Sequence, residues 1–134
     1  MIGVIVATHG EFGNILLSTL EMILGKTEGI VSVSLLAEDA MEGFQEKLEM
    51  ALNGVDPSGQ GALVLVDMLG GTPFNVAARL AQQKKILILT GVNLPMLIKA
   101  ASHHESENLE DFAMEVQKSA KESILSSTEL FKNE

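Results

Sequence analysis

The sequence contains no cysteine, and its 9 basic residues are outnumbered by 18 acidic ones, which gives a formal net charge of -9. Without cysteine, disulfides, thiolate metal sites and cysteine nucleophiles are excluded. The composition also suits a reducing compartment, so we expect a cytoplasmic protein. The negative charge argues against nucleic acid and against anionic membrane surfaces as partners, because both attract basic proteins.

Long hydrophobic runs are also absent. Polar residues or glycine interrupt every apolar stretch before the roughly 18 residues that a membrane-spanning helix needs, so we expect no membrane insertion. The opening segment MIGVIVATHG lacks a basic flank and a cleavage site, and it predicts a buried strand rather than a signal peptide. The nucleotide-binding patterns G-x-x-x-x-G-K followed by Ser or Thr, and G-x-G-x-x-G, do not occur, and no cofactor is indicated.

The chain does contain short apolar runs that alternate with helix-like segments. The runs lie at residues 2–7, 30–36, 62–66 and 86–89. This alternation predicts an α/β fold with an open, mainly parallel sheet of strand order 2-1-3-4 and helices on both faces. All four runs are nearly continuously apolar, as expected for strands that are covered on both faces. With no linker in the sequence, we expect residues 1–134 to form a single domain.

Apolar residues at offsets of three and four predict the first two helices. The first follows Gly10 and ends at Gly25, with an expected inner face of Phe12, Ile15, Leu16, Leu20, Ile23 and Leu24. The second has Asp39 as its expected N-cap, with a buried face of Met41, Phe44, Leu48, Ala51 and Leu52.

Three further helices are predicted in the second half of the chain. Thr72 is the expected cap of the third, with Pro73 at its first position, and the fourth begins near Leu94. The fifth lies within residues 108–134 and is expected to bury Leu109, Phe112, Ala113, Val116, Ala120 and Ile124. The apolar stretch 124–131 has no assigned structure, and its composition suggests burial against another surface.

Unusual residues directly follow the two central strands. Thr8, His9 and Gly10 come after the first run, and Asp67 comes after the third. If these strands are neighbours, their ends lie about 4.8 Å apart, and His9 and Asp67 are close enough to touch. A carboxylate that accepts the imidazole Nδ1–H fixes the tautomer and leaves Nε2 unprotonated, as a nucleophile or ligand.

The segment after Asp67 predicts an anion site. Gly70, Gly71 and Thr72 lead into a helix N-terminus, whose unpaired N–H groups and positive dipole end favour an anion. A histidine nucleophile, an orienting aspartate and a phosphate cradle together suggest phosphoryl transfer through phosphohistidine. Simpler interpretations exist for each: a histidine is often only a core or surface residue, Asp67 caps the following turn, and Gly-Gly-Thr-Pro is a tight turn before a helix.

Other candidate sites are weaker. His103 and His104 are adjacent and do not share a helix face, and with Glu105 and Glu107 they are expected to form a solvated loop rather than a metal site. We therefore assign no metal. A hydrolase is disfavoured because the sequence offers no general base for water besides His9.

Three blocks of the sequence resemble the mannose-type enzyme IIA (EIIA-Man) proteins of the bacterial phosphoenolpyruvate:sugar phosphotransferase system (PTS). They are VATHGEFGNILLSTLEMILG at residues 6–25, DMLGGTPFN at 67–75 and LTGVNLPMLIKA at 89–100. The middle block, paired with Thr-His-Gly after the first strand, is the specific part of this resemblance.

The resemblance implies a sugar-transport phosphotransferase subunit. In that role His9 receives a phosphoryl group from the phosphocarrier HPr and passes it to a cognate enzyme IIB. Asp67 would hydrogen-bond the imidazole, and Gly71 and Thr72 would contact the phosphoryl group. The resemblance also implies a homodimer in which a C-terminal strand, here around residues 121–127, crosses to the partner's sheet. Because no IIB half is present, we expect a separate subunit that reaches the membrane IIC/IID complex through IIB.

A carrier that presents one nitrogen to two proteins needs an accessible histidine, so we expect a shallow site. Phe12, Met68, Leu69 and Met96 are predicted to form an apolar docking collar around His9. Two alternatives stay open here. One is the related phosphocarrier of dihydroxyacetone kinases, and the other is a regulatory domain controlled by phosphorylation of His9. The sequence does not indicate the transported sugar.

Overall fold

The computed structural model describes residues 2–102 and 108–132. Its centre is a sheet of parallel strands, β1 (Gly3–His9), β2 (Ile30–Leu35), β3 (Ala62–Val66) and β4 (Ile86–Leu89). The strand order is β2-β1-β3-β4, which confirms the predicted order. Ala7 of β1 lies beside Val33 on one side and beside Val66 on the other. The carboxyl ends of β1 and β3 therefore meet at the same edge of the sheet.

Helices cover both faces of the sheet, as predicted. In chain order they are α1 (Phe12–Leu24), α2 (Met41–Val55), α3 (Thr72–Leu80), α4 (Leu94–Ala101), α5 (Leu109–Glu122) and α6 (Ser127–Phe131). Successive residues of β1 point to opposite faces: Val6 packs in the core under α1, α4 and α5, and Ala7 in the core under α2 and α3. Phe112 and Phe44 fill the two cores, and each contributes about 1.5–3 kcal/mol by its burial.

Burial differs between the central and the edge strands. The residues of β3 are all buried, and so are those of β1 up to its last residue, His9. Most residues of β2 and β4 are only half-buried or exposed. Helices nevertheless pack on both faces of the edge strands, α1 and α2 on β2 and α3 and α5 on β4, so the expected cover on both faces is confirmed. The edge strands are less buried because each has a sheet neighbour on one side only.

The inner face predicted for α1 is confirmed at Leu16 and Leu20 and is wrong at its other four residues. Gly13 and Leu20 are its buried residues, with Leu16 half-buried. The predicted inner-face residues that the structure instead exposes are Phe12, Ile15, Ile23 and Leu24. The reason is Gly13, where an added Cβ would lie 3.0 Å from Thr8 Oγ1 and 3.3 Å from the Val6 carbonyl oxygen. The helix approaches β1 along its glycine side.

Asp39 is not the N-cap of α2, because Ala40 occupies that position. The carboxylate of Asp39 turns back instead. Its Oδ2 accepts the Leu36 N–H at 2.8 Å and the Lys47 ammonium at 2.7 Å. Lys47 also donates to the Ser34 carbonyl at 3.2 Å. Asp39 therefore ties the turn after β2 to the middle of α2.

The C-terminal part contains the predicted amphipathic helix but no strand in its described residues. The buried residues of α5 are Leu109, Phe112, Ala113, Val116 and Ala120, and Ile124, expected among them, lies beyond the helix and is exposed. Residues 121–127 comprise the end of α5, a short connection and the start of α6. The predicted exchange of this segment involves a second subunit, and it stays a prediction. Within residues 2–102 and 108–132, no helix combines the length and apolarity needed to cross a membrane.

Candidate functional site

The site forms where β1 and β3 end side by side. His9 is the last residue of β1 and Asp67 follows β3 directly, so the parallel pairing of the two strands brings them together. Asp67 Oδ2 lies 2.8 Å from His9 Nδ1 and also accepts the His9 backbone N–H at 3.0 Å. The expected contact between these two residues is confirmed by the geometry.

The hydrogen bond to Asp67 determines which imidazole nitrogen carries the proton. Because a carboxylate oxygen only accepts, Nδ1 donates to it, and this tautomer leaves Nε2 with a free electron pair. The His9 side chain is 46% exposed and that of Asp67 15%. The site is therefore shallow, with an accessible imidazole over a largely covered carboxylate.

Both oxygens of Asp67 have partners. Oδ2 binds His9, and Oδ1 accepts the Met68 N–H at 3.0 Å. The sequence left two interpretations of Asp67 open, as a cap of the following turn or as a partner of His9. The structure contains both contacts in one carboxylate, so the turn after β3 and the imidazole are fixed relative to each other.

Gly71 packs against the imidazole. A Cβ added at Gly71 would lie 2.6 Å from His9 Cε1 and 3.2 Å from Nε2, so no larger residue fits while the ring keeps this position. Gly70 has a φ of 85°, a left-handed conformation that glycine adopts without strain. Together they let the chain turn sharply beside His9.

The N-terminus of α3 begins at this turn. Gly71 is its N-cap and Thr72 its first residue, one position earlier than predicted, and Pro73 follows. No side chain caps this helix start, so its first N–H groups are available to an anion near the imidazole. The predicted phosphate-contacting segment thus lies beside His9, while its contact with a phosphoryl group stays a prediction.

A cleft of about 400 Å³ opens next to the histidine. The residues that line it include His9, Thr72, Leu36, Asp39 and Met41. The Lys47 ammonium, and to a lesser degree the Leu36 N–H, hold the pKa of the Asp39 carboxyl below its ordinary value. The sequence did not predict this cleft, because Asp39 was assigned to a helix cap. No spacing rule along the chain connects Leu36 or Lys47 to His9.

The predicted docking collar is only partly at the surface. Phe12, Met68 and Leu69 are 47%, 55% and 69% exposed. Met96 is 2% exposed and belongs to the core under α4, so its assignment to the collar is wrong. Asn93 caps α4 by accepting the Met96 N–H at 2.9 Å, and Met96 lies on the side of this helix that packs in the core. Docking by the three exposed residues stays a prediction.

The other histidines, His103 and His104, and their neighbours Glu105 and Glu107 lie outside the described residues. Within the part of the chain that the structure describes, no group of three or more histidine, aspartate or glutamate side chains is arranged to hold a metal ion.

The fold and the site define a class of protein: an open parallel α/β domain whose accessible histidine is held by an aspartate beside a helix N-terminus. Over residues 3–117 the chain matches the model of the EIIA-man family, described as the PTS system fructose IIA component. This match extends over most of the chain, from the start of β1 into α5. The chain therefore belongs to the EIIA-man family.

Two curated relatives agree with this assignment. The PTS system fructose-specific EIIA component of Bacillus subtilis (strain 168) is 36% identical over 112 residues, which are 83% of this chain and 76% of the relative. The PTS system mannose-specific EIIAB component of Escherichia coli (strain K12) is 36% identical over 99 residues. That alignment covers 73% of this chain but 30% of the longer relative.

Solved structures have the same fold. The phosphotransferase system component EIIA from Streptococcus agalactiae superposes with a TM-score of 0.82 at 35% identity, covering 94% of this chain and 97% of that chain. The mannose/sorbose specific IIA subunit from Enterococcus faecalis has a TM-score of 0.83 at 30% identity, covering 93% of each chain. The family and these relatives identify the chain as an EIIA component of a sugar phosphotransferase system.

Proposed function

We propose that this chain is a phosphohistidine carrier in which His9 accepts a phosphoryl group from phospho-HPr and passes it to a cognate enzyme IIB. The observation that carries the proposal is the 2.8 Å contact between Asp67 Oδ2 and His9 Nδ1, since it leaves Nε2 as the nucleophilic nitrogen. A carrier offers this nitrogen to two proteins in turn, and an imidazole that is 46% exposed suits that task. Membership of the EIIA-man family supports the same role.

The proposed step exchanges one nitrogen–phosphorus bond for another. The Nε2 electron pair of His9 attacks the phosphorus on the HPr histidine, the bond from that phosphorus to the HPr nitrogen breaks, and the HPr nitrogen keeps the electron pair. In the second transfer the acceptor histidine of IIB attacks the phosphorus on His9 in the same way. Asp67 stabilises the positive charge that develops on the imidazole while the bond to Nε2 forms.

The start of α3 is the proposed cradle for the phosphoryl oxygens. Gly71 leaves no room for a Cβ beside the imidazole, so the start of α3 lies close to the ring, and Thr72 lines the same cleft as His9. The first N–H groups of the helix and the Thr72 hydroxyl, together with the positive end of the helix dipole, stabilise negative charge. Gly70 contributes by allowing the tight turn that places them there.

The proposal includes partners beyond the site itself. HPr and IIB would dock in turn over His9 and the exposed Phe12, Met68 and Leu69. The chain would act in the cytoplasm as a homodimer with exchanged C-terminal segments, and it would reach the membrane IIC/IID complex through IIB. The sugar stays open, because the B. subtilis relative is named for fructose and the E. coli relative for mannose.

The direct test is the intact mass of the protein after incubation with phosphoenolpyruvate, enzyme I and HPr. We expect one phosphoryl group, lost on acid treatment, on the wild type and none on His9→Ala, with both proteins folded by circular dichroism. A wild type that gains no mass, with the upstream proteins active on another acceptor, contradicts the proposal.

A second incubation separates onward transfer from regulation. Purified phospho-protein is mixed with the cognate IIB, and both masses are followed in time. Loss of the group from His9 with matching gain on IIB supports the carrier role. Retention of the group on His9 would favour the regulatory domain, and transfer to a dihydroxyacetone kinase subunit instead of IIB would favour that system.

A further inference from the structure

Thr8 is an exceptional residue in the core. Among the residues that the structure describes, it is the one polar side chain that is buried, with 0% exposure. Burying a hydroxyl destabilises a protein unless the group is hydrogen-bonded. Thr8 Oγ1 is bonded: it accepts the backbone N–H of Gly13 at 2.7 Å. Gly13 is the second residue of α1, and its N–H has no partner within the helix.

This hydrogen bond replaces an ordinary helix cap. The N-cap residue of α1, Glu11, has no side-chain capping bond. The acceptor comes instead from the strand that precedes the helix, and it closes the connection Thr8 to Gly13 into a ring. Gly13 fits this ring closely, because a Cβ there would lie 3.0 Å from Thr8 Oγ1.

His9 lies inside this closed ring, directly after Thr8. Two other contacts hold the same stretch: the His9 N–H donates to Asp67 Oδ2 at 3.0 Å, and the Gly10 N–H donates to the Leu35 carbonyl at 2.8 Å. The chain around His9 is therefore attached to β3 and to β2. The hydrogen bond between Thr8 and Gly13 also attaches this stretch to α1.

We propose that Thr8 is a positioning residue for His9, acting through the Gly13 N–H. The tolerance at the site is small, because the imidazole already contacts Gly71, where there is no room for even one methyl group. Removal of the Thr8 acceptor leaves a buried N–H unpaired, and the strand–helix connection must shift to find a new partner. Such a shift moves the imidazole relative to Asp67 and to the start of α3. This inference rests on the proposed function in one respect: the rate measured in its test is the rate at which His9 accepts a phosphoryl group.

The test compares Thr8→Val, which keeps the shape but removes the acceptor, with Thr8→Ser, which keeps the hydroxyl. We expect Thr8→Val to slow phosphorylation of His9 by about 10-fold to 100-fold, because a displacement of about 1 Å has effects of this size. Thr8→Ser should restore most of the rate. In NMR spectra of ¹⁵N-histidine-labelled protein, Thr8→Val should shift the His9 ring signals and Thr8→Ser should leave them close to those of the wild type.

Asn108→Ala is the matched control for a lost helix cap. Asn108 accepts the Asp111 N–H at 2.8 Å at the start of α5, the same kind of bond without a contact to His9. We expect it to lower the Tm while leaving the rate and the His9 ring signals unchanged.

Gly13→Ala provides a second variant that keeps Thr8 and remains informative should Thr8→Val not fold. Alanine favours a helix intrinsically, so slower transfer and shifted ring signals in this variant would come from the contacts of its Cβ with Thr8 and Val6, which push the start of α1 away from β1. The proposal is overturned if the folded variants keep the wild-type rate and the wild-type ring signals, even with a lowered Tm. A wild type that accepts no phosphoryl group refutes the proposed function instead, and the ring signals still test the positioning role.

Discussion

One oxygen atom, Asp67 Oδ2, contacts His9 twice, at Nδ1 over 2.8 Å and at the backbone N–H over 3.0 Å. The same oxygen thus determines both the orientation of the ring and the path of the chain that carries it. The second oxygen of Asp67 accepts the Met68 N–H. Rotation of the imidazole and movement of the turn after β3 are therefore coupled through a single side chain.

Replacing Asp67 should slow phosphorylation without removing the acceptor. In Asp67→Ala, Nδ1 loses its partner, so the tautomer with Nε2 unprotonated loses its stabilisation, and we expect a rate about 10-fold to 100-fold lower. Quenched-flow mass spectrometry with phospho-HPr measures this rate. Asp111→Ala removes an exposed carboxylate from the first turn of α5 and controls for the change in net charge. An unchanged rate in Asp67→Ala would contradict the orienting role.

A single methyl group at Gly71 should displace the imidazole. The added Cβ of Gly71→Ala would lie 2.6 Å from His9 Cε1, and because His9 is at the surface, we expect the ring to swing outward while the fold survives. Phosphorylation should then be about 10-fold to 100-fold slower at a nearly unchanged Tm.

Gly54→Ala is the matched control for Gly71→Ala. Gly54 lies in α2, and an added Cβ there meets no atom within 4 Å. Alanine in the helix should stabilise the protein by about 0.5–1 kcal/mol and leave the transfer rate unchanged. Equal rates for the wild type and both glycine variants would show that the imidazole tolerates the methyl group.

Met96 and Met68 should respond to truncation in opposite ways. Met96 is in the core, so Met96→Ala should lower the free energy of unfolding by about 2–5 kcal/mol. Met68 is exposed, so Met68→Ala should change stability by less than about 0.5 kcal/mol. If Met68 contacts HPr, this variant should also raise the KM for phospho-HPr. Urea unfolding and transfer kinetics together give both quantities, and an unchanged KM would remove Met68 from the docking surface.

Asp39 should stabilise the protein in a pH-dependent way. Its folded-state pKa is lowered, first by the Lys47 hydrogen bond and then by the Leu36 N–H. The stabilisation is therefore fully present above the ordinary carboxyl pKa of about 3.9 and is lost as the pH falls through the lowered value. The Tm difference between the wild type and Asp39→Asn should be constant near neutral pH and should shrink below about pH 4. A difference that stays constant down to the acid end would contradict this interpretation.

Local sequence patterns determined most of the elements. The apolar runs predicted each strand to within two residues, and the periodicity of α5 predicted all five of its buried residues. The positions of His9 and Asp67 directly after apolar runs also indicated where the site would form. These predictions succeed because strand alternation and helix periodicity are properties of neighbouring residues, which the chain order alone determines.

Contacts between different elements of the fold determined the rest. The apolar residues of α1 allow more than one side to face the sheet, and the close approach of Gly13 to Thr8 selects the side that leaves Phe12 and Ile15 exposed. Asp39 pairs with Lys47 instead of capping α2, and the same ammonium donates to the Ser34 carbonyl of β2, so this arrangement joins the helix to the strand on which it packs.

The sequence by itself thus determined the kind and order of the elements from β1 to α5, but not α6, and the edge of the sheet at which His9 would lie. The sequence predicted the contact of His9 with Asp67 only on the condition that β1 and β3 are neighbours, and the tertiary structure shows that this condition is met. The tertiary structure alone showed that Gly71 leaves no room for a Cβ beside the ring. His9 and Asp67 are 58 positions apart, and their separation in space depends on the pairing of β1 with β3. That pairing is a property of the assembled core and not of either segment.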